Sequence, residues 1–313
     1  MTTKKRQYLL ASLTLILILV SCAPGQELES ARTDQTPRLV VMSAFDAELA
    51  ELRSQAKITN TYVINGRTYY AGQLAGKDVV LALSGVSMVN AAMTAQTILD
   101  HFEVSAIVFS GIAGGVNPGL NIGDVVVPAQ WGEYQEQVFA RETADGWETG
   151  QFRSDFGNYD MMFPQNVSVT RSGGKPDGEE QLFWFPVSPD MVDVVRKLTG
   201  QVKLTKCTTG KVCLNNEPRV VTGGNGVSGP TFVDNAAYRE WVWQVFQADA
   251  LDMESAAVAH VAYVNNVPFI AFRSLSDLAG GGPGANEIST FFQLAADNSA
   301  NVVILFLEKL PKP

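Results

Sequence analysis

The chain has 313 residues, 46% of them hydrophobic, and carries a net charge of −9 from 23 Lys and Arg against 32 Asp and Glu. Such an acidic balance, with no basic run in the body of the chain, argues against a nucleic-acid partner. The only histidines are His101 and His260, and the three cysteines are dispersed, which disfavours a zinc site and a Ser–His or Cys–His catalytic unit. Neither a metal nor a cofactor is expected.

At the start, Lys4, Lys5 and Arg6 precede the apolar run Leu9–Val20, which leads into Ser21 and Cys22. A basic segment, an apolar stretch too short to span as a mature helix and a small residue before the cut make a secretory signal. The sequence LVSC resembles a bacterial lipobox. This implies that residues 1–21 are removed, that Cys22 carries the lipid (palmitate among its acyl groups), and that the protein is anchored to a membrane facing the periplasm or cell exterior. Cleavage takes three basic residues and no acidic one, so the charge moves from −9 to −12. Residues 22–37 are polar and without periodicity, as a flexible tether would be. Residues 38–313 suffice for one large core.

Within that domain, Arg38–Ser43 is an apolar strand and Asp46–Gln55 an amphipathic helix. Thr61–Ile64 and Thr68–Ala71 flank Asn65-Gly66, a strong hairpin signal. Val79–Leu83 reads as a buried strand, Val89–Phe102 as a helix, and Ser105–Ile112 as an apolar strand running into Ala113, Gly114 and Gly115. Asp124–Pro128 is a further strand. Residues from about 131 to 185 are irregular, rich in Gly, Asn, Asp and aromatic residues, and read as an insertion. Ser188, Pro189 and Asp190 open a helix with an N-cap, a Pro in the first turn and an acid near its positive end. Met191, Val194, Val195 and Leu198 follow at helical spacing. Cys207 and Cys213 bracket a short polar turn and suit a local disulfide in an oxidising compartment. Val220–Thr222 is a strand, Asn235–Phe246 a helix, and the segment from about Glu287 to Leu310 a closing amphipathic helix. The alternation predicts a single-domain α/β fold: a mixed, mostly parallel twisted sheet flanked by helices on both faces.

The segment Leu251–Asp277 is the most informative. Two apolar runs deliver Glu254 and Asp277, and the helix Ser255–Asn265 between them reads as a crossover joining neighbouring parallel strands. Both carboxylates then stand at strand carboxyl ends, where open α/β sheets bind ligands. Glu48 follows the first strand in the same way. Each acid alone fits a helix N-terminus, whereas three converging carboxylates fit a pocket for a neutral polyol. Arg273 and Ser276 lie beside Asp277, and the Gly280–Gly282 run follows. His260, among apolar helix residues, reads as structural.

Six motifs in order carry a resemblance: Ser43 to Glu48 (SAFDAE), Ser84 to Val86 (SGV), Ser110 to Gly115 (SGIAGG), Ile122 to Val126 (IGDVV), Met253-Glu254 and Ser276-Asp277. Together they resemble the nucleoside phosphorylase superfamily, and within it the methylthioadenosine/S-adenosylhomocysteine nucleosidases. The stretches GNGVSGPTFVDNAAYREW and SLSDLAGGG are also similar to an extracellular plant branch that includes bark storage proteins. The resemblance implies an N-ribohydrolase acting on a purine nucleoside and water, often as a homo-oligomer. It makes Asp277 the acid that protonates purine N7, a role for which burial must raise its pKa. Glu254 and Met253 match the ribose-binding pair, Phe232 and Val233 the residues against the base. Ala113 and Gly114 allow close backbone approach, and Arg273 and Ser276 complete the substrate-binding set. The first loop offers Glu48 and no Arg before Arg53. A carboxylate there repels phosphate and suits a base for water, with Ser84 and Gly85 positioning that water. Hydrolysis is thus favoured. The alternatives are a phosphate-dependent phosphorylase and a non-catalytic nucleoside-binding, storage or surface-adhesion lipoprotein.

Overall fold

The structure is a computed structural model that describes residues 32–311. The expected signal segment and the lipidation at Cys22 lie outside the described residues. The chain begins with β1 (Asp34–Ser43), α1 (Asp46–Gln55) and the strands β2 (Lys57–Ile64), β3 (Arg67–Leu74) and β4 (Lys77–Leu83). Helix α2 (Met88–His101) leads into the long β5 (Phe102–Gly115), then β6 (Val125–Val127) and β7 (Gln130–Gly132). Six short strands follow: β8 (Gln137–Phe139), β9 (Arg141–Thr143), β10 (Gly146–Glu148), β11 (Met162–Pro164), β12 (Val167–Val169) and β13 (Glu180–Leu182). After β14 (Trp184–Pro186) come α3 (Pro189–Arg196), β15 (Val220–Thr222), β16 (Asn225–Ser228) and α4 (Ala236–Phe246). The chain closes with β17 (Ala248–Asp252), α5 (Ser255–Val264), β18 (Phe269–Asp277) and α6 (Ile288–Lys309).

Twelve strands form one mixed sheet along the path β14-β7-β16-β17-β5-β1-β4-β3-β2, with β18 joined to β5 and β6, and β15 to β6. Its middle is apolar on both faces: Val40, Val41 and Met42 of β1 and Ile107, Val108 and Phe109 of β5 are fully buried. Strands covered on both sides need such continuous runs, and each side chain of this size contributes about 1.5–3 kcal/mol on burial. The hairpin between β2 and β3 turns at Asn65 and Gly66, with φ of 51° and 77°. That left-handed pair matches the twist of the flanking strands.

Three boundaries depart from the sequence reading. Strand β1 starts within the expected tether, because Asp34 pairs with Phe102 and accepts a 2.8 Å bond from Arg38 Nε. The insertion folds as three ladders, β8 with β11, β9 with β10 and β12 with β13. Its two ends, β7 and β14, pair with each other and belong to the main sheet. Ser188 stands at the N-cap of α3 as expected, yet its side chain makes no capping bond.

The larger correction concerns α5. It does not join neighbouring parallel strands: β17 runs antiparallel to β5, with Leu251 opposite Gly114, and β18 runs parallel to β5, with Asp277 opposite the same Gly114. Strand β5 therefore lies between them. It outruns β1, whose last partner on it is Phe109, and β17 occupies the edge left open beyond. The outcome predicted from the crossover survives by this other route, because Glu254 and Asp277 still arrive on either side of the end of β5.

Helix α6 is long and apolar enough to cross a membrane by length and composition, but 56% of its most apolar window is buried. It packs on β18, β5 and α1, with Leu294, Ala295, Ala296, Val302, Val303 and Phe306 turned inward. It is a core helix of the domain.

Candidate active site

A cavity of about 190 Å³ opens where the ends of β1, β5, β17 and β18 meet. Four carboxylates line it, Glu48, Asp252, Glu254 and Asp277, among mostly apolar neighbours. Its lining contains no Lys, Arg or His among the described residues.

Glu48 is in the first turn of α1 and is 1% exposed. Its Oε2 accepts bonds from the N–H groups of Ala44 at 2.8 Å and Phe45 at 3.4 Å, closing the helix start. Its Oε1 accepts from Ile112 N on β5 at 2.8 Å. One side chain thus serves the helix terminus and also fixes a carboxylate in the cavity wall. Burial pushes this carboxyl up to about 7, against the lowering influence of Arg273 and the three backbone donors.

Glu254 caps α5, and its Oε1 accepts from Ser87 N at 2.7 Å. Burial again dominates and raises it to about 7, opposed by Arg273 and reinforced by the negative charge of Asp252. Asp252 accepts from Ser228 Oγ and from the N–H groups of Glu254 and Ser255, both at 3.1 Å. The sequence reading missed Asp252, the last residue of β17, two positions before Glu254 at the N-cap of α5.

Arg273 is not a lining residue, contrary to its expected place in the substrate-binding set. It is 0% exposed, behind the cavity wall. Its Nε lies 2.7 Å from Asp252 Oδ2, and its Nη atoms lie 3.5 Å from Glu254 and 3.8 Å from Glu48. It also donates to Ser255 Oγ and the Ile112 carbonyl and sits 4.3 Å from the centre of the Phe109 ring. Buried among three carboxylates, a hydroxyl, a carbonyl and an aromatic ring, the guanidinium holds the carboxylates together from behind the cavity wall.

Asp277 ends β18 and is 2% exposed. Its Oδ2 accepts from Ser276 Oγ at 2.8 Å. Its Oδ1 accepts from Ala279 N at 2.8 Å and Asn286 Nδ2 at 3.4 Å. Burial outweighs those donors and raises its pKa above the usual carboxylate range. Ser276, Ala113 and Gly114 line the cavity beside it. A Cβ on Gly114 would come 3.3 Å from Asp277 Oδ1, so the glycine admits the acid at this register.

On the opposite side, Met253, Val233 and Phe232 line the cavity as expected, with Phe232 54% exposed at its rim. Phe45, Ile288 and Phe292 form an apolar end that the sequence reading missed. The rings of Phe45 and Phe292 stack at 5.0 Å. Phe45 stands at the N-cap of α1 and Phe292 in α6, so only tertiary packing unites them. Ser84 and Gly85 are a second correction. Ser84 is fully buried, its Oγ donates to the Gly85 carbonyl at 2.8 Å, and neither residue lines the cavity. Their neighbours Val86 and Ser87 reach it instead, Val86 as lining and Ser87 through its N–H on Glu254.

Two expectations away from the cavity are met. Cys207 and Cys213 form a disulfide. His260 Nδ1 is 3.1 Å from Glu133 Oε1, and its ring stacks on Phe185 at 4.5 Å, a structural setting.

Known proteins resemble this chain over nearly all of the described domain. The family model described as Phosphorylase superfamily matches residues 38–308. The 5'-methylthioadenosine/S-adenosylhomocysteine nucleosidase of Tolumonas auensis is 28% identical, covering 87% of this chain and 100% of its own. Bark storage protein B of Populus deltoides is 27% identical, covering 80% of each chain. Among solved structures, the methylthioadenosine/adenosylhomocysteine nucleosidase of Neisseria meningitidis in complex with methylthio-immucillin-A superposes with a TM-score of 0.64. It is 25% identical and covers 87% of this chain and 99% of its own. By sequence and by fold, the chain belongs to the phosphorylase superfamily.

Proposed function

We propose that this protein is a nucleosidase that hydrolyses the N-glycosidic bond of purine nucleosides of the methylthioadenosine and adenosylhomocysteine type. The observation that carries this reading is the cavity wall itself, with four carboxylates and no cation among the described lining residues. A phosphate dianion needs cationic or backbone donors, and carboxylates at this spacing repel it. Water meets no such barrier, and Glu48, raised to about 7 by burial, suits a base working near neutral pH.

The reaction then divides among residues on three elements. Asp277 enters protonated and gives its proton to purine N7 as the bond from C1′ to N9 breaks. Glu254 accepts hydrogen bonds from the ribose hydroxyls, and its charge favours the positive charge growing on the sugar. Glu48 takes a proton from the water whose oxygen bonds to C1′. The products are the neutral base and the ribose derivative, and one water is consumed. The apolar end formed by Phe45, Ile288 and Phe292 fits a thioether substituent on the 5′ carbon better than a free hydroxyl.

Incubation with methylthioadenosine in phosphate-free buffer is expected to release adenine and methylthioribose. Base release that begins only when phosphate is added would replace this reading with phosphorolysis. Nucleoside binding by calorimetry without base release over hours would replace it with a storage protein.

Export and lipid anchoring at Cys22 belong to the same proposal, supported by the LVSC sequence and by the Cys207–Cys213 disulfide, which suits an oxidising compartment. Mass spectrometry of the mature N-terminus tests the anchor, and an unmodified Cys22 would refute it. Self-association is proposed from the resemblance and is read by sedimentation of the domain from residue 32.

A further inference from the structure

One side chain ties the acid of the proposed reaction to the loop that carries Phe232 and Val233, beside a backbone bond from Asn235 N to the Ala279 carbonyl at 3.1 Å. Asn286 lies on the segment between β18 and α6, and its Nδ2 donates to two carboxylates: Asp234 Oδ1 at 2.9 Å and Asp277 Oδ1 at 3.4 Å. Asp234 directly follows Phe232 and Val233, two residues of the cavity lining. The same Asn286 accepts, through Oδ1, a 3.0 Å bond from Ile288 N at the start of α6, and Ile288 also lines the cavity. One amide therefore joins the acid, the loop carrying Phe232 and the helix that supplies the apolar end.

We propose that Asn286 is the positioning residue for Asp277, a clasp that fixes which carboxyl oxygen carries the proton and couples that choice to the Phe232 loop. This rests on the nucleosidase reading above. Oδ1 of Asp277 already faces two N–H donors, Ala279 N and Asn286 Nδ2. A proton on Oδ1 would point at a donor, so the acid proton resides on Oδ2, whose neighbour Ser276 Oγ can turn toward the Ala113 carbonyl at 3.3 Å. Without Asn286 only the Ala279 N–H holds Oδ1, and the carboxyl keeps that bond and the Ser276 hydroxyl as its two restraints. Seating a base against Phe232 also pulls on Asp234, and through Asn286 on the acid.

The charged groups around Asp277 are few. Glu287 at the start of α6 raises its pKa, and Asn286 lowers it. Asp234 reaches it through Asn286, Arg239 of α4 is engaged with the Gly115 carbonyl, and Glu48 and Glu254 line the far wall. Removal of the Asn286 donor thus favours the protonated acid, and the pH at which Asp277 loses its proton moves upward.

Three variants test the clasp. Asn286→Ala is expected to lower kcat on the order of 10- to 100-fold with KM changed by less than about threefold, and to move the limb on which Asp277 loses its proton to higher pH. Asn286→Asp keeps an acceptor for Ile288 N but replaces the donor with a carboxylate facing Asp234 and Asp277. It is expected to lose more activity than Asn286→Ala. If Asn286 only starts α6, Asn286→Asp would retain wild-type kcat, and that result overturns the proposal. Asp234→Ala is expected to give a smaller loss that disappears in the Asn286→Ala background; independent, multiplying losses would likewise overturn the coupling. Asp277→Asn separates the two levels. If it stays active, the reaction reading itself fails. If it is inactive while Asn286→Ala keeps the wild-type rate and profile, only the clasp fails.

Discussion

Replacing Arg273 with Met removes the only cation in contact with Glu48, Asp252 and Glu254 among the described residues. Met fills much of the volume, so the main effect is three buried carboxylates without their counter-charge. Breaking a buried pair from one side costs about 3–5 kcal/mol, a large share of the roughly 5–15 kcal/mol that holds a domain together. The cost depends on pH in a direction the cluster fixes. Glu48 and Glu254 are raised by burial from 4.5 to about 7, with Arg273 opposing the rise. A carboxyl whose folded pKa lies above its unfolded value adds stability that is full below the unfolded pKa and is lost as pH climbs through the folded one. Without Arg273 both folded values climb further, so at pH 5 both glutamates are protonated and no longer need a counter-charge. The expected deficit is therefore about 3–5 kcal/mol at pH 8 and roughly 1–2 kcal/mol at pH 5, where lost hydrogen bonds to Ser255 and Ile112 remain. Urea unfolding of wild type and variant at both pH values measures it. At roughly 2–4 °C per kcal/mol for a domain near this size, the melting temperature at pH 8 should fall by about 10 °C. Equal deficits at the two pH values, or a variant more stable at pH 8, would refute the claim that Arg273 neutralises this cluster.

Other outcomes follow from the same geometry. Asp277→Asn should lower base release by about 10²- to 10⁴-fold, the usual contribution of a general acid, with little change in melting temperature; a steady-state assay with methylthioadenosine reads it. The ascending limb of kcat/KM should lie near pH 7, where Glu48 and Glu254 gain their charges, and should become shallower, keeping only the Glu254 contribution, in the residual activity of Glu48→Gln. Cys207→Ser opens a loop with a sequence separation of 6. The loss of stability should be on the order of 2 kcal/mol by loop entropy, measured by denaturation with and without reductant.

Much of the site was legible because its acids stand at strand ends. Glu48, Glu254 and Asp277 each follow an apolar run, and period and burial made those runs readable without knowledge of their partners. The Asn65-Gly66 hairpin was readable for an equally local reason, since few residues adopt two successive positive φ values. What failed was information of long range. No periodicity states that β17 enters against β5, because strand direction depends on which edge β1 leaves open. The side chain of Arg273 alternates with those of its strand neighbours in any reading, yet whether it faces a ligand or three carboxylates is settled by residues 19 to 225 positions away. The Ser84 hydroxyl is similar, being consumed by its own neighbour's carbonyl. Asp252 could have been found, since it ends the same apolar run that delivers Glu254.

The buried cluster also sets function against stability within one group of side chains. The proposed reaction needs Glu48 ionised to accept a proton from water, whereas the fold is most stable with Glu48 protonated. The shift from 4.5 to about 7 corresponds to about 3 kcal/mol of stability surrendered once the pH passes 7. A surface glutamate would avoid that loss but would be a weaker base and would leave the cavity open to solvent. Arg273 is the compromise: it keeps the cost within what the sheet can carry, yet by standing behind the wall it leaves the cavity itself acidic. Were its guanidinium turned into the cavity, it would offer phosphate the counter-charge that the lining lacks, and the preference for water would weaken. The place of one cation, on the far side of three carboxylates, is what ties the hydrolytic reading of this site to the energetics of its fold.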